Sequence, residues 1–102
     1  MTGVLIVGNG NHPPHSVLES FVAASPVIIA LDGAAIMLQQ RQIQPDVIIG
    51  DMDGLTSEQL EIFQSQGVQI VKDSTQDTSD ISKGLTWSQK QHPGKHIDVI
   101  GI

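Results

Sequence analysis

The chain has 102 residues, enough for one small domain with one core, and carries eleven acidic against five basic side chains. That balance argues against a nucleic-acid binder, which leans basic, and the lack of cysteine excludes disulfides and thiolate zinc sites. No apolar run approaches the roughly 20 residues of a membrane span and the N-terminus lacks a signal-peptide layout, so the expectation is a soluble, cytoplasmic protein with no membrane partner.

Residues 4–7 (VLIV) predict a first buried strand, followed by a polar loop over 8–15 (GNGNHPPH). Its glycines and asparagines allow positive φ and expose backbone N–H groups, which suits phosphate or nucleotide contact at Asn9 and Gly10. It is not a Walker loop, because no Gly-Lys-Ser/Thr follows, and it lacks the third glycine of GxGxxG. Ser16 is placed to cap a helix carrying Val17, Leu18, Phe21 and Val22, and Ser25-Pro26 ends it. A second strand over 27–31 finishes at Asp32-Gly33. A helix from about 34 to 42 offers Ile36, Met37 and Leu38 to the core.

The third strand, 47–49, runs into Gly50, Asp51, Met52, Asp53 and Gly54. Two acids one residue apart then stand at the carboxyl end of a strand, where open α/β sheets bind their ligands. Close carboxylates repel unless a cation or a metal-bound phosphate lies between them. Thr56 and Gln59 have capping-box spacing for a third helix, Leu55 and Leu60 fit a hydrophobic staple, and Gly67 is its expected stop. A fourth strand over 68–71 precedes a polar loop. Asp77 or Thr78 is then placed to cap a fourth helix with Ile81, Leu85 and Trp87, ending at His92-Pro93-Gly94. Residues 97–100 form the last strand.

Five strands alternating with four helices predict an α/β fold: a three-layer, Rossmann-like parallel sheet with helices on both faces. Right-handed crossovers put every strand's carboxyl end on one edge. That edge collects the 8–15 loop, Asp32, Asp51, Asp53, Asp73, and Asp77 with Asp80 at a helix start. Asp51, Asp53 and Asp80 suit Mg²⁺, which takes oxygen ligands and keeps waters and substrate phosphates as the remainder. Asp32 is either a ligand there or a turn residue, and its acidic neighbours favour the ligand. Lys83, one turn beyond Asp80, either reaches a phosphate or pairs with Asp80. The four histidines have no metal-ligand spacing.

Three segments together resemble the N-terminal motifs of thiamine pyrophosphokinases, approximately ADGGAN, PDxIIGDFDS and DQDxTDxxKAL. They are Leu31-Asp32-Gly33-Ala34-Ala35, Pro45-Asp46-Val47-Ile48-Ile49-Gly50-Asp51-Met52-Asp53, and Gln76-Asp77-Thr78-Ser79-Asp80-Ile81-Ser82-Lys83-Gly84-Leu85. The resemblance implies transfer of pyrophosphate from ATP to thiamine, giving thiamine diphosphate and AMP. It implies Mg²⁺ on Asp51, Asp53 and Asp80, and a nucleotide-phosphate pocket that includes Asp32, Gly33, Gln76, Asp77, Ser79 and Lys83. The sequence departs from the motifs at Ile36, Met52, Gly54, Thr75 and Ser79. Family members continue into a GGRxDH-like segment and a C-terminal β-sandwich that helps bind thiamine and forms a homodimer. Residues 1–102 are therefore expected to be the catalytic α/β domain without that sandwich, poorly active alone.

Three other readings compete. Residues 47–56 also resemble the DxDGT signature of haloacid-dehalogenase-like phosphatases, with Asp51 as nucleophile and Asp53 as general acid. That signature belongs on a first strand, whereas two βα units precede it here. A diphosphokinase acting on a pterin alcohol and a non-catalytic nucleotide-binding or dimerisation fragment are the other two.

Overall fold

The computed structural model describes residues 3–11, 13–73 and 79–101. Five strands, β1 (Val4–Val7), β2 (Val27–Leu31), β3 (Val47–Gly50), β4 (Gln69–Lys72) and β5 (Ile97–Ile100), alternate with four helices. The helices are α1 (His15–Ala24), α2 (Ala34–Gln40), α3 (Ser57–Ser65) and α4 (Asp80–Gln91). The strands form one parallel sheet in the order β4-β3-β2-β1-β5. The direction of strand addition reverses between β1 and β5, and such a switch point opens a crevice at the carboxyl edge.

The two faces are covered unequally. Leu5, Val7, Ile28, Ala30 and Ile48 pack beneath Leu18 of α1, Ala34, Ala35, Met37 and Leu38 of α2, and Phe63 of α3. Among the described residues, Val4, Ile6, Ile29, Leu31, Val47 and Ile49 face a single helix, α4, which brings Ile81, Leu85 and Trp87. The near-continuous apolar strands follow from this burial on both faces. α4 lies close because Gly84 has no side chain: a Cβ there would stand 3.1 Å from Leu31 Cδ2 and 3.4 Å from Ile6 Cδ1.

The expected elements are all present, with shifted ends. Thr56 caps α3 through a full capping box: its Oγ1 accepts from the Gln59 N–H, and Gln59 Oε1 accepts from the Thr56 N–H. Gly67 stops the chain's helical course at φ +89°. α1 begins at His15, two residues earlier than expected, with Pro14 in the extended cap position and no side-chain cap, so Ser16 lies inside the helix. Proline's fixed φ suits that boundary without a capping hydroxyl. Val17, expected in the core, is exposed. α4 is capped by Ser79, whose Oγ accepts from the Ser82 N–H at 3.2 Å. Among the described residues no helix is long and apolar enough to cross a membrane.

Gly84→Leu should force α4 off the sheet and cost about 1–3 kcal/mol by overpacking, read as a lower urea midpoint with an unchanged slope. An unchanged midpoint would mean that α4 packs more loosely than the coordinates show.

Candidate active site

The carboxyl edge is built on level strand ends. Val7 pairs with Ala30, Leu31 with Ile49, and Ile49 with Val71, so the loops that leave β2, β3 and β4 start side by side. Asp32 follows β2 and its N–H still donates to Ile49 O at 2.9 Å. Asp51 follows β3, and Asp80 opens α4. The three meet around Gly50. A Cβ on Gly50 would lie 3.2 Å from Asp32 Cβ and 3.5 Å from Asp80 Oδ2. Only a glycine leaves that volume open.

The turn that brings them together is left-handed at non-glycine positions, φ 50° at Asp32 and 70° at Met52. Such backbone is uncommon for aspartate and costly for a larger side chain, and it clusters where function fixes the chain. Hydrogen bonds hold the turn. The Gly54 N–H donates to Asp32 Oδ1 at 2.9 Å, and the Asp53 N–H donates to Asp51 Oδ1 at 3.0 Å. A Cβ on Gly54 would overlap Asp32 Oδ1 at 2.9 Å and press on Gly33 N at 3.2 Å, so the 51–54 turn closes directly on the start of α2.

The crowding shows in proton affinity. Burial pushes the Asp32 carboxyl up to about 6, helped by its hydrogen bond to the Asp51 carboxylate and by the charges of Asp51 and Asp80, against the Gly54 N–H. Asp51 moves the other way, held below the usual carboxylate range by the Asp53 N–H, then by the bond from Asp32, with Lys83 adding to it. Of the two, Asp32 is the one that takes up a proton more readily.

Lys83 answers the acids from beneath. Its side chain is 5 % exposed, and its Nζ donates to Asp73 O at 2.8 Å and stands 3.5 Å from Asp80 Oδ1. Of the two roles left open by the sequence, the ion pair with Asp80 is present. Lys83 also ties the end of β4 to the first turn of α4, a role invisible in the sequence because the partner is a backbone carbonyl.

On the other side of Asp80, Asn9, Gly10, Leu31, Ser79, Ile81 and Gly101 help line a crevice of about 290 Å³ at the switch point. The Asn9 carboxamide packs against Gly33, where a Cβ would come within 2.7 Å of Nδ2. The expectation of free N–H groups in this loop is corrected: those of Gly8 and Gly10 donate to Ile100 O and Gly101 O, extending the pairing with β5. Gly10 therefore shapes the crevice without offering its N–H. Gln76 and Asp77 lie outside the described residues. Asp53 is exposed beside Asp51. His15, at the start of α1, pairs with Glu19 at 2.7 Å, and His96, which precedes β5, pairs with Asp98 at 2.9 Å.

Among the described residues no three His, Cys, Asp or Glu side chains form a ready-made metal cage. The donor set nevertheless fits Mg²⁺, which needs only one or two carboxylates beside phosphate and water oxygens. Asp51 and Asp80 supply hard oxygens, and the crowding of Asp32, Asp51 and Asp80 marks a place where a positive charge is favoured.

The family model for the thiamin pyrophosphokinase catalytic domain matches residues 18–102. The chain belongs to that family. The match sets aside the haloacid-dehalogenase reading of Asp51 and Asp53, which here stand after β3. Thiamin pyrophosphokinase from Candida albicans shares 25% identity at a TM-score of 0.76, over 88% of this chain and 32% of that one. Yeast thiamin pyrophosphokinase shares 22% identity at 0.75, over 86% and 31%. A thiamin pyrophosphokinase family protein from Enterococcus faecalis shares 18% at 0.77, over 97% and 46%; at these last two identities the likeness is one of fold. The chain thus spans between about a third and a half of the length of these proteins. No curated protein matches it by sequence.

The raised proton affinity of Asp32 gives a pH signature. Asp32 binds its proton more tightly folded than unfolded, so its contribution to stability is full below about pH 4 and is lost as pH rises through about 6. Asp32→Asn keeps an oxygen for the Gly54 N–H and removes the repulsion. Its melting temperature should exceed that of the unsubstituted chain at pH 8, with the gain shrinking towards pH 4. A gain independent of pH would show that Asp32 and Asp51 do not share charge.

Proposed function

We propose that residues 1–102 are the ATP-binding, catalytic part of a thiamine diphosphokinase, an enzyme that moves a pyrophosphoryl group from ATP to the hydroxyl of thiamine. The convergence of Asp32, Asp51 and Asp80 around Gly50 carries the reading: acids that follow two strands and open a helix, with Asp32 hydrogen-bonded to Asp51 and Asp80 paired with Lys83. A site that crowds negative charge on an already acidic chain suits a polyphosphate only with a divalent cation between them. Asp51, Asp53 and Asp80 would hold Mg²⁺. When bound, the ion supplies charge neutralisation for phosphate oxygens during transfer.

The chain's own groups divide the remaining work. Lys83 keeps the Asp80 carboxylate in place and adds a positive charge at the edge of the phosphate path. Asn9, Gly10, Gly33 and Ser79 bound the crevice beside it, and Gln76 and Asp77 are assigned to the same pocket by the family motif. In the transfer, the acceptor oxygen bonds to the β-phosphorus, the bond from that phosphorus to the oxygen of the α-phosphate breaks, and AMP leaves. The hydroxyl proton must go to a base. Asp32, with its carboxyl near 6, is suited to take it, because a catalytic base works best close to the operating pH.

The acceptor alcohol is assigned on family grounds, and the residues that would choose thiamine over a pterin alcohol are expected in a C-terminal β-domain that also forms a homodimer. A cytoplasmic setting suits a cysteine-free user of ATP.

Calorimetry with Mg²⁺ and a non-hydrolysable ATP analogue tests the reading. The unsubstituted chain should bind only with the metal present. Asp51→Asn and Asp80→Asn should each weaken binding on the order of tenfold or more, while Asp98→Asn, on β5 away from the edge, should not. Binding that ignores Mg²⁺, or that survives both substitutions, would reject the assignment.

A further inference from the structure

The segment between β1 and α1 forms one wall of the switch-point crevice, through Gly8, Asn9 and Gly10. Its start is fixed by backbone: the Gly8 N–H donates to Ile100 O at 2.8 Å and the Gly10 N–H to Gly101 O at 2.7 Å. Further along, Pro13 and Pro14 have no N–H to donate, so only their carbonyls can be tied down. The Pro14 carbonyl accepts from the Leu18 N–H at 3.0 Å as α1 begins. The Pro13 carbonyl accepts from Arg41 Nη1 at 2.9 Å, across 28 residues of chain. Arg41 is the chain's single arginine and is half-buried at the end of α2, where its N–H donates to Met37 O and Leu38 O. Among the described residues its guanidinium pairs with no carboxylate. The other end of α2 meets the same segment at Gly33, against the Asn9 carboxamide. α2 therefore braces the crevice wall from both ends, by close packing at one and by a charged donor at the other.

We propose that Arg41 is a positioning residue for this crevice: by fixing the Pro13 carbonyl it keeps Gly8, Asn9 and Gly10 in place, and so raises affinity for a Mg²⁺-bound nucleotide that it does not touch. The inference rests on the ATP-binding reading above and adds how the wall of that site is held. Arg41 does not line the crevice, so its effect is preorganisation. A wall already in its bound shape need not be ordered when the ligand arrives. Arginine suits the task. Its planar fork loses less freedom per bond than a lysine and stays charged at every working pH. A charge-assisted hydrogen bond is also roughly twice as strong as a neutral one.

Amide hydrogen exchange and calorimetry together separate this role from plain stabilisation. In Arg41→Ala the exchange of the Gly8 and Gly10 N–H groups should quicken by more than that of Ile6, inside β1, whose rate follows opening of the whole sheet. Affinity for the non-hydrolysable ATP analogue with Mg²⁺ should fall on the order of tenfold, the weight of one charge-assisted hydrogen bond. Arg41→Lys, which keeps a donor, should recover most of both effects. Lys95→Ala removes the same charge from an exposed position between α4 and β5 and should change neither. Unchanged exchange at Gly8 and Gly10 in Arg41→Ala would overturn the proposal, as would analogue binding that is not weakened. Losses as deep in Arg41→Lys or Lys95→Ala as in Arg41→Ala would overturn it too, by making charge or bulk the cause. Equal quickening at Gly8, Gly10 and Ile6 would reduce Arg41 to a general stabilising contact and reject its positioning role. If the unsubstituted chain does not bind the analogue, the ATP reading falls, whereas a selective change in exchange would still support Arg41 as the brace of the wall.

Discussion

Like charges brought closer than they would stand in water are the condition on which this fold is arranged. Asp32, Asp51 and Asp80 meet at a point where even one methyl group on Gly50 would intrude. Their repulsion is met by local means: the raised proton affinity of Asp32, backbone N–H groups from Asp53 and Gly54, and the buried ammonium of Lys83. Each of these lowers the cost without removing it. A site in which negative charge is only partly satisfied has affinity to spare for a cation, and that is the property a magnesium-dependent phosphate site needs.

The scaffold serves this condition through register. Parallel strands whose ends are level release their loops side by side, so residues far apart in the chain become neighbours without long excursions. The strained turns at Asp32 and Met52 sit immediately after the rigid strands that impose them. Packing on both faces of β2 and β3 supplies the rigidity, and the carboxylates use it.

Much of this was legible in the sequence, for identifiable reasons. Short apolar runs alternating with amphipathic segments carry the α/β reading, and Asp-Gly after a strand marks the edge where the acids meet. The Thr56–Gln59 box is a local code and was readable as such. What escaped depends on contacts that sequence spacing does not encode. The Gly10 N–H is taken by the carbonyl of Gly101, just past β5 and some ninety residues away. Lys83 is anchored by a main-chain oxygen, so no residue type announces the partner. The cap of α4 fell to Ser79 because three candidate hydroxyl or carboxylate residues stand in succession, and only the backbone decides between them. Nor does periodicity reveal that three helices share one face and one helix serves the other.

That last asymmetry has a consequence for how freely the chain can vary. On the α1–α3 side only the start of α2 abuts the site, at Asp32 and Gly54, so core substitutions away from that contact can be absorbed by helix shifts. On the opposite side the same helix both shields the sheet and delivers Asp80 and Lys83. Changes in Ile6, Leu31 or Gly84 there are transmitted to the chemistry as displacements of its ligands, so one hemisphere of the molecule is tolerant to drift and the other is not.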